Sequence, residues 1–168
     1  MRYLSTWAKG ETIKKVGPAL FNHESSTAGK VLVIFNGGMM HHPSKGCDGT
    51  WRAHVQAGMD VLTAWTKANP LVAGVELVLL GPPAVLGLRN PGVTWVRGRA
   101  FVPLLQRYAL ESNALQAELP GGGKIHTSVL DQQDVTVARW DVTFDGMHFG
   151  GTVTSTLVSM VLQHIGCS

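Results

Sequence analysis

Two short apolar runs constrain the fold of this chain more than any other feature of its sequence. VLVIF occupies residues 31–35 and VELVLL occupies residues 75–80. Neither run alternates strictly between apolar and polar residues, which is typical of strands buried on both faces of a parallel sheet. Turn residues follow each run at once, Asn-Gly-Gly at 36–38 and Gly-Pro-Pro at 81–83. The sequence therefore predicts two buried parallel strands.

Segments with helical spacing follow these runs. A first helix is predicted from Thr50, as its N-cap, to Asn69-Pro70, and its apolar face comprises Trp51, Val55, Met59, Leu62 and Trp65. A second is predicted over 99–119, with one apolar stripe made of Phe101, Leu104, Leu105, Tyr108, Leu115 and Leu119. A final helix, capped by Thr152, repeats apolar residues every four positions at Val153, Leu157, Val161 and Ile165.

A third strand is predicted at 135–138, and residues 93–96 are predicted to form a short extended piece. The resulting order β-α-β-α-β-α indicates an α/β fold, in which crossover helices join the strands of a parallel sheet. Ligands of such sheets bind beyond the carboxyl ends of the strands. We therefore expect a functional site in the loops at 36–49, 81–92 and 140–151.

Length and charge limit the kinds of protein to which this sequence can belong. The 168 residues, with 45% hydrophobic and 15% charged side chains, are typical of one globular domain. We assign residues 1–30 to an irregular N-terminal segment and residues 31–168 to the α/β domain. The net charge of +3 arises in residues 1–30, which hold five basic and two acidic residues, while the rest holds nine of each. Because a nucleic-acid footprint needs clustered basic residues on the folded body, no nucleic-acid partner is expected.

Neither the apolar tracts nor the cysteines indicate a membrane or metal protein. The longest apolar tract, 71–88, is interrupted by one Glu and two Pro residues, so no membrane-spanning segment is predicted. The start of the chain lacks the apolar core of a secretory signal. Cys47 and Cys167 form no C-x-x-C motif, which excludes a zinc knuckle and a thioredoxin-type site. Both a disulfide between them and two free thiols remain open.

Asp145 and His148 form a D-x-x-H motif directly before the final helix. A carboxylate in this position can accept the Nδ1–H of the imidazole, which leaves Nε2 free to take a proton from a hydroxyl group. The alternative is that Asp145 binds the amides of its own turn and that His148 lies on the surface.

Asn36, Gly37 and Gly38 follow the first predicted strand. Their backbone N–H groups, with the Asn amide, can point into the crevice and stabilise a developing oxyanion. The alternative is a plain turn in which glycine supplies the positive φ angle.

Other polar motifs receive weaker interpretations. His41 and His42 could bind a metal ion together with Asp145 and His148, but adjacent residues on extended chain point in opposite directions, so no metal or cofactor is expected. PGGGKI lacks the spacing of a phosphate-binding loop. The remaining histidines have no partnered spacing and are predicted to be structural or surface residues: His23, His54, His126 and His164.

Taken together, these segments resemble the SGNH/GDSL hydrolase superfamily, and within it the PC-esterase and neurexophilin-and-PC-esterase C-terminal domains. The resemblance covers about residues 31–167. It rests mainly on W-D-x-T…D-x-x-H at 140–148, and next on VLVIF leading into an Asn-Gly turn.

The resemblance implies a three-layer, flavodoxin-like fold and ester chemistry, either hydrolysis or O-acyl (acetyl) transfer, on a small-molecule or glycan ester. It implies that His148 is the general base, that Asp145 orients it, and that Asn36, Gly37 and Gly38 supply oxyanion donors. It also implies passage through the secretory pathway if an upstream signal or anchor exists.

The family's nucleophile, a Ser in a G-D-S turn after the first strand, has no counterpart, since the sequence contains no G-D-S. Ser5, Ser25 and Ser26 are the nearby serines, and the latter two precede the first apolar run, at the wrong end of that strand. The nucleophile is thus unknown, and we expect this chain to lack the first strand of a longer protein. Two alternatives remain, a non-catalytic carbohydrate-binding relative and a metal-dependent hydrolase.

Overall fold

The described part of the chain, in a computed structural model, comprises residues 29–35, 50–70, 72–84, 95–115, 124–143, 149–164 and 166. Within these residues the chain forms three strands and four α-helices in the order β1 (Gly29–Phe35), α1 (Thr50–Ala68), β2 (Val72–Leu80), α2 (Trp95–Leu115), β3 (Ile125–Leu130), α3 (Gln133–Val137) and α4 (Gly151–His164). A 3-10 turn at Trp140–Val142 lies between α3 and α4.

The three strands form one parallel sheet in the order β1-β2-β3. Val33 of β1 lies opposite Leu77 of β2, and Leu77 lies opposite Thr127 of β3. Each pair of parallel neighbours is joined by a connection that contains a long helix, as parallel pairing requires. The expected α/β fold, with helices flanking a parallel sheet, is therefore confirmed.

The two faces of the sheet are covered by different helices. On one face, α1 and α2 pack against the strands in a core made of Val33, Trp51, Val55, Met59, Leu62, Val72, Val75, Leu77, Leu79, Phe101, Leu105, Tyr108 and Ile125. On the other face, Val161 of α4 packs against Val78 and Leu130. Because side chains alternate across a strand, these two clusters lie on opposite sides of the sheet and define three layers.

The apolar face predicted for α1 is confirmed. Trp51 is buried and contacts two rings of α2 edge-on, Phe101 at a centroid distance of 5.2 Å and Tyr108 at 5.9 Å. Edge-to-face rings at such distances add about 0.5–1.5 kcal/mol to the gain from burial. The ring cluster therefore fixes how α1 and α2 pack on the sheet.

The prediction of the third strand at 135–138 is wrong. These residues belong to α3 and the turn after it, and the third strand is β3, IHTSVL. Local hydrogen bonds explain the helix: the Gln133 backbone N–H donates to Asp131 Oδ1 at 2.9 Å, and Thr136 Oγ1 donates to the Gln132 carbonyl at 2.7 Å. The Asp131 carboxylate, which accepts from a backbone N–H two residues on, favours a turn here over the β preference of Val and Thr.

The helix α2 differs from its prediction at its N-terminal end and in the burial of Leu115. It begins at Trp95, so Trp95 and Val96 are helical rather than extended. Phe101, Leu105 and Tyr108 are buried as predicted, but Leu115 is 85% exposed and does not belong to the apolar stripe. Leu119 lies outside the described residues.

The last helix, α4, starts at Gly151, one residue before its predicted cap Thr152. It buries Val153 and Val161 as predicted, whereas Ile165 lies outside the described residues. None of the helices in the described ranges combines the length and the apolar character needed to cross a membrane.

Candidate functional site

The carboxyl ends of the three strands meet at one edge of the sheet. Phe35 of β1 lies beside Leu79 of β2, and Leu80 lies beside Leu130 of β3. The described residues that follow β2 and β3 therefore lie at this edge, where parallel α/β sheets place their ligand sites. The described residues there are 81–84, after β2, and 131–133, after β3.

Buried amide side chains tie these two segments together. Gln132 Nε2 donates to the Gly81 carbonyl, and Gln133 Nε2 donates to the Pro82 carbonyl at 2.5 Å. Gln132 is 5% exposed and Gln133 is 2% exposed. A buried amide without a partner costs about 1–3 kcal/mol, so these bonds hold the segment after β2 firmly against the segment after β3.

Two further bonds complete the link. The Gly81 N–H donates to the Leu130 carbonyl at 3.0 Å, which extends the sheet ladder by one rung. The Ala84 N–H donates to Thr136 Oγ1 at 2.8 Å, so α3 also holds the Gly-Pro-Pro segment. At the carboxyl edge, these bonds hold the backbone that follows β2 against the backbone that follows β3.

The first turn of α2 packs against these two segments, and Gly98 lies at the contact. A Cβ atom at Gly98 would lie 2.7 Å from Gln133 Nε2 and 3.4 Å from Pro82 Cγ. Only a residue without a side chain allows the helix to approach this closely. Gly98 therefore brings α2 to the carboxyl edge.

The segment that carries the W-D-x-T motif follows α3 rather than a strand. Because β3 ends at Leu130, the expectation that the 140–151 loop leaves the third strand directly is wrong. Asp141 pairs with Arg139 at 3.1 Å on the surface. Thr143 and Phe149 form an antiparallel bridge just before α4.

The predicted site residues belong to the segments after β1 and before α4. Asn36, Gly37 and Gly38 follow β1, and Asp145 and His148 stand between Thr143 and Phe149 in the sequence. All five lie outside the described residues, as do the serines at positions 5, 25 and 26 and both cysteines.

Trp140 has an indole Nε1–H that is buried and finds no acceptor among the described residues. Buried donors of this kind normally have a partner. It is the first residue of the 140–148 motif and stands five positions before Asp145 in the sequence.

No metal centre is formed within the described ranges, where no three His, Cys, Asp or Glu side chains come close enough to share an ion. His41 and His42, which could contribute ligands, lie outside these ranges.

One cluster of titratable side chains was missed by the sequence interpretation. His126, predicted to be a structural or surface residue, contacts Glu76 on the neighbouring strand, with Nδ1 at 2.8 Å from Oε1. Glu76 also accepts a hydrogen bond from Ser128 Oγ at 3.1 Å. The cluster follows from the register of β2 and β3, which places Glu76 directly opposite His126. A prediction of this strand pairing would have found it.

Comparison with protein-family models, with curated proteins and with solved structures finds no match to this chain.

Proposed function

We propose that this protein is an SGNH-type ester hydrolase or O-acyl transferase that acts on carbohydrate esters. The observation that carries the proposal is the parallel α/β sheet, whose first strand β1 ends at Phe35, immediately before Asn36, Gly37 and Gly38. A turn that leaves a parallel strand at its carboxyl end stands where ligands bind. This supports a role for its amides as oxyanion donors.

The roles of the two other residues follow from the chemistry of acyl transfer. His148 Nε2 takes the proton from the attacking hydroxyl group as its oxygen bonds to the acyl carbon, and Asp145 accepts the Nδ1–H and stabilises the imidazolium. The carbonyl oxygen gains negative charge, which the amides of residues 36–38 stabilise. As the C–O bond of the ester breaks, His148 returns its proton to the sugar oxygen.

The attacking hydroxyl is not assigned to a residue. Hydrolysis and transfer share this first half of the reaction and differ in whether water or a second alcohol accepts the acyl group. No metal or cofactor enters the proposal.

A second candidate is favoured by one observation, the lack of a G-D-S turn anywhere in the sequence. Without its nucleophile, an enzyme of this type loses nearly all covalent turnover and retains binding. In this candidate the same crevice holds a carbohydrate ester and releases it unchanged.

Acetate release from an O-acetylated oligosaccharide tests both candidates. The hydrolase proposal predicts release by the unaltered protein, a loss of roughly 10³-fold or more in His148→Ala, and no change in His164→Ala, an exposed histidine of α4. Binding of the oligosaccharide without acetate release supports the second candidate. Equal release by the unaltered protein and His148→Ala overturns the assignment of His148.

A further inference from the structure

A histidine–carboxylate couple lies on the α4 side of the sheet, away from the carboxyl edge. His126 Nδ1 is 2.8 Å from Glu76 Oε1 and 3.0 Å from Oε2. An ionised carboxylate only accepts hydrogen bonds, so in the neutral imidazole Nδ1 carries the proton and donates it to Glu76. The lone pair is then on Nε2.

Both residues are held by the sheet itself. Glu76 and His126 face each other across the β2–β3 ladder, and Ser128, two positions further along β3, donates to the same carboxylate oxygen at 3.1 Å. Groups carried on strands keep their geometry better than groups on loops. The couple is therefore preorganised.

The imidazole is open to solvent on its other side. The His126 side chain is 63% exposed, whereas that of Glu76 is 27% exposed. Nε2 makes no hydrogen bond within the described ranges, so a small molecule can reach it. Orientation by a carboxylate and access to Nε2 are two requirements of a nucleophilic histidine.

We propose that the Glu76–His126 couple is a second ester-cleaving site, independent of the proposed crevice and specific for activated acyl esters such as aryl esters. Nε2 attacks the carbonyl carbon, the new N–C bond forms, and the C–O bond to the phenolate breaks. Glu76 stabilises the positive charge of the acyl-imidazolium through Nδ1–H. Water then attacks the acyl carbon, the N–C bond breaks, and one proton of the water passes to solvent, so the products are a carboxylic acid, the phenolate released earlier, a solvent proton and neutral His126.

The leaving group sets the substrate class. An exposed imidazole works without desolvation, so it displaces only leaving groups that are weaker bases than itself or comparable to it. Phenolates that carry an electron-withdrawing nitro group meet this condition, whereas ordinary phenolates and the alkoxide of a sugar are stronger bases than imidazole. The couple is thus expected to cleave nitrophenyl acetates and to leave O-acetyl sugars intact, which separates it chemically from the crevice.

The rate of p-nitrophenolate release from p-nitrophenyl acetate tests the proposal, measured in the His148→Ala background so that the proposed general base of the crevice is absent. His164→Ala is the matched control, since His164 is an exposed histidine without a carboxylate partner within the described ranges. The chain has seven histidines, and six remain in the His148→Ala background. If all six reacted alike, each would contribute about a sixth of the histidine-dependent rate of p-nitrophenolate release. We expect His126→Ala to remove most of that rate and His164→Ala to remove a sixth or less.

Glu76→Gln separates orientation from charge. Glutamine keeps an oxygen that accepts from Nδ1 but carries no negative charge, so we expect the His126 contribution to fall roughly tenfold with the circular dichroism spectrum unchanged. Mass spectrometry after a short exposure should find the acetyl group on His126 before any other histidine. Equal losses in His126→Ala and His164→Ala, an unchanged rate in Glu76→Gln, or acetylation spread evenly over the histidines would overturn the proposal.

Discussion

Gln133 Nε2 donates to the backbone carbonyl of Pro82 at 2.5 Å and joins the residues after β3 to those after β2. The two partners are 51 positions apart in the chain. Since this bond is buried, it determines the shape of the carboxyl edge as well as the stability of the fold. It is the basis of the first two predictions.

Gln133→Ala is expected to lower the free energy of unfolding by about 2–3 kcal/mol, because it leaves the Pro82 carbonyl without its donor and opens a cavity. Urea denaturation followed by tryptophan fluorescence measures the change. Gln106→Ala on the exposed side of α2 is the matched control and should stay within about 0.5 kcal/mol of the unaltered protein. Similar values for the two variants would show that the Gln133 bond contributes nothing.

Gly98→Ala tests the close approach of α2 to the side-chain amide of Gln133. Alanine normally stabilises a helix interior by about 1 kcal/mol relative to glycine, but here its Cβ would lie 2.7 Å from Gln133 Nε2. We expect a net destabilisation of about 1 kcal/mol, because the amide has to leave its hydrogen bond to Pro82. In the Gln133→Ala background the same substitution should become neutral or stabilising, and additive effects in this double-mutant cycle would contradict the steric explanation.

The sequence pattern places two leucines of α2, Leu105 and Leu115, on the same apolar stripe. We expect them to contribute very differently to the free energy of unfolding. Leu105 is fully buried and Leu115 is 85% exposed. Leu105→Ala should cost about 2–5 kcal/mol, and Leu115→Ala should change the free energy of unfolding by less than about 0.5 kcal/mol. Thermal denaturation of both variants checks this. A large loss in Leu115→Ala would mean that another part of the chain or a second molecule covers that residue.

Loss of the phenolic proton of Tyr108 is expected to destabilise the fold at alkaline pH. Burial raises the pKa of Tyr108 above its ordinary value of 10.0, and the nearby Arg52 guanidinium opposes this rise only in part. The folded state therefore holds the phenolic proton more tightly than the unfolded chain. The free energy of unfolding consequently falls as the pH rises from about 10 through the folded-state pKa of Tyr108.

Absorbance titration of the phenolate measures this directly, since the chain has two tyrosines. Tyr108→Phe should remove the component that titrates at the higher pH. It should also reduce the loss of stability above pH 10, even though it gives up the 3.0 Å bond from Tyr108 to Gln56. If Tyr108→Phe loses stability with pH as steeply as the unaltered protein, burial of the phenol is not the cause.

The parts of the fold that the sequence predicts are those where apolar residues are dense. β1, β2 and α1 were predictable because each buries a continuous run or face. β3, which lies at the end of the sheet that the described residues form, was not predictable, because His126 and Ser128 lie among its apolar residues and interrupt the continuous pattern. The segment at 135–138 has β-branched residues that favour a strand in the sequence pattern, but it is helical because Asp131 accepts the Gln133 N–H at the start of the turn.

The functional groups were predictable only where the chain places them close together in sequence. Asp145 and His148 form a local motif, and it remains a prediction since both lie outside the described residues. Glu76 and His126 are 50 positions apart and are brought together by the strand register. The bond between Gln133 and Pro82 likewise depends on tertiary structure, so no local pattern indicates it.

The central claim is that His148 and the amides of Gly37 and Gly38 face one crevice. The most direct measurement is the amide chemical shift of these two glycines in ¹H–¹⁵N spectra from about pH 5 to 8, where imidazoles titrate. We expect a titration component in both amides that disappears in His148→Ala and persists in His164→Ala. Identical glycine titration curves in the unaltered protein and in His148→Ala would contradict it.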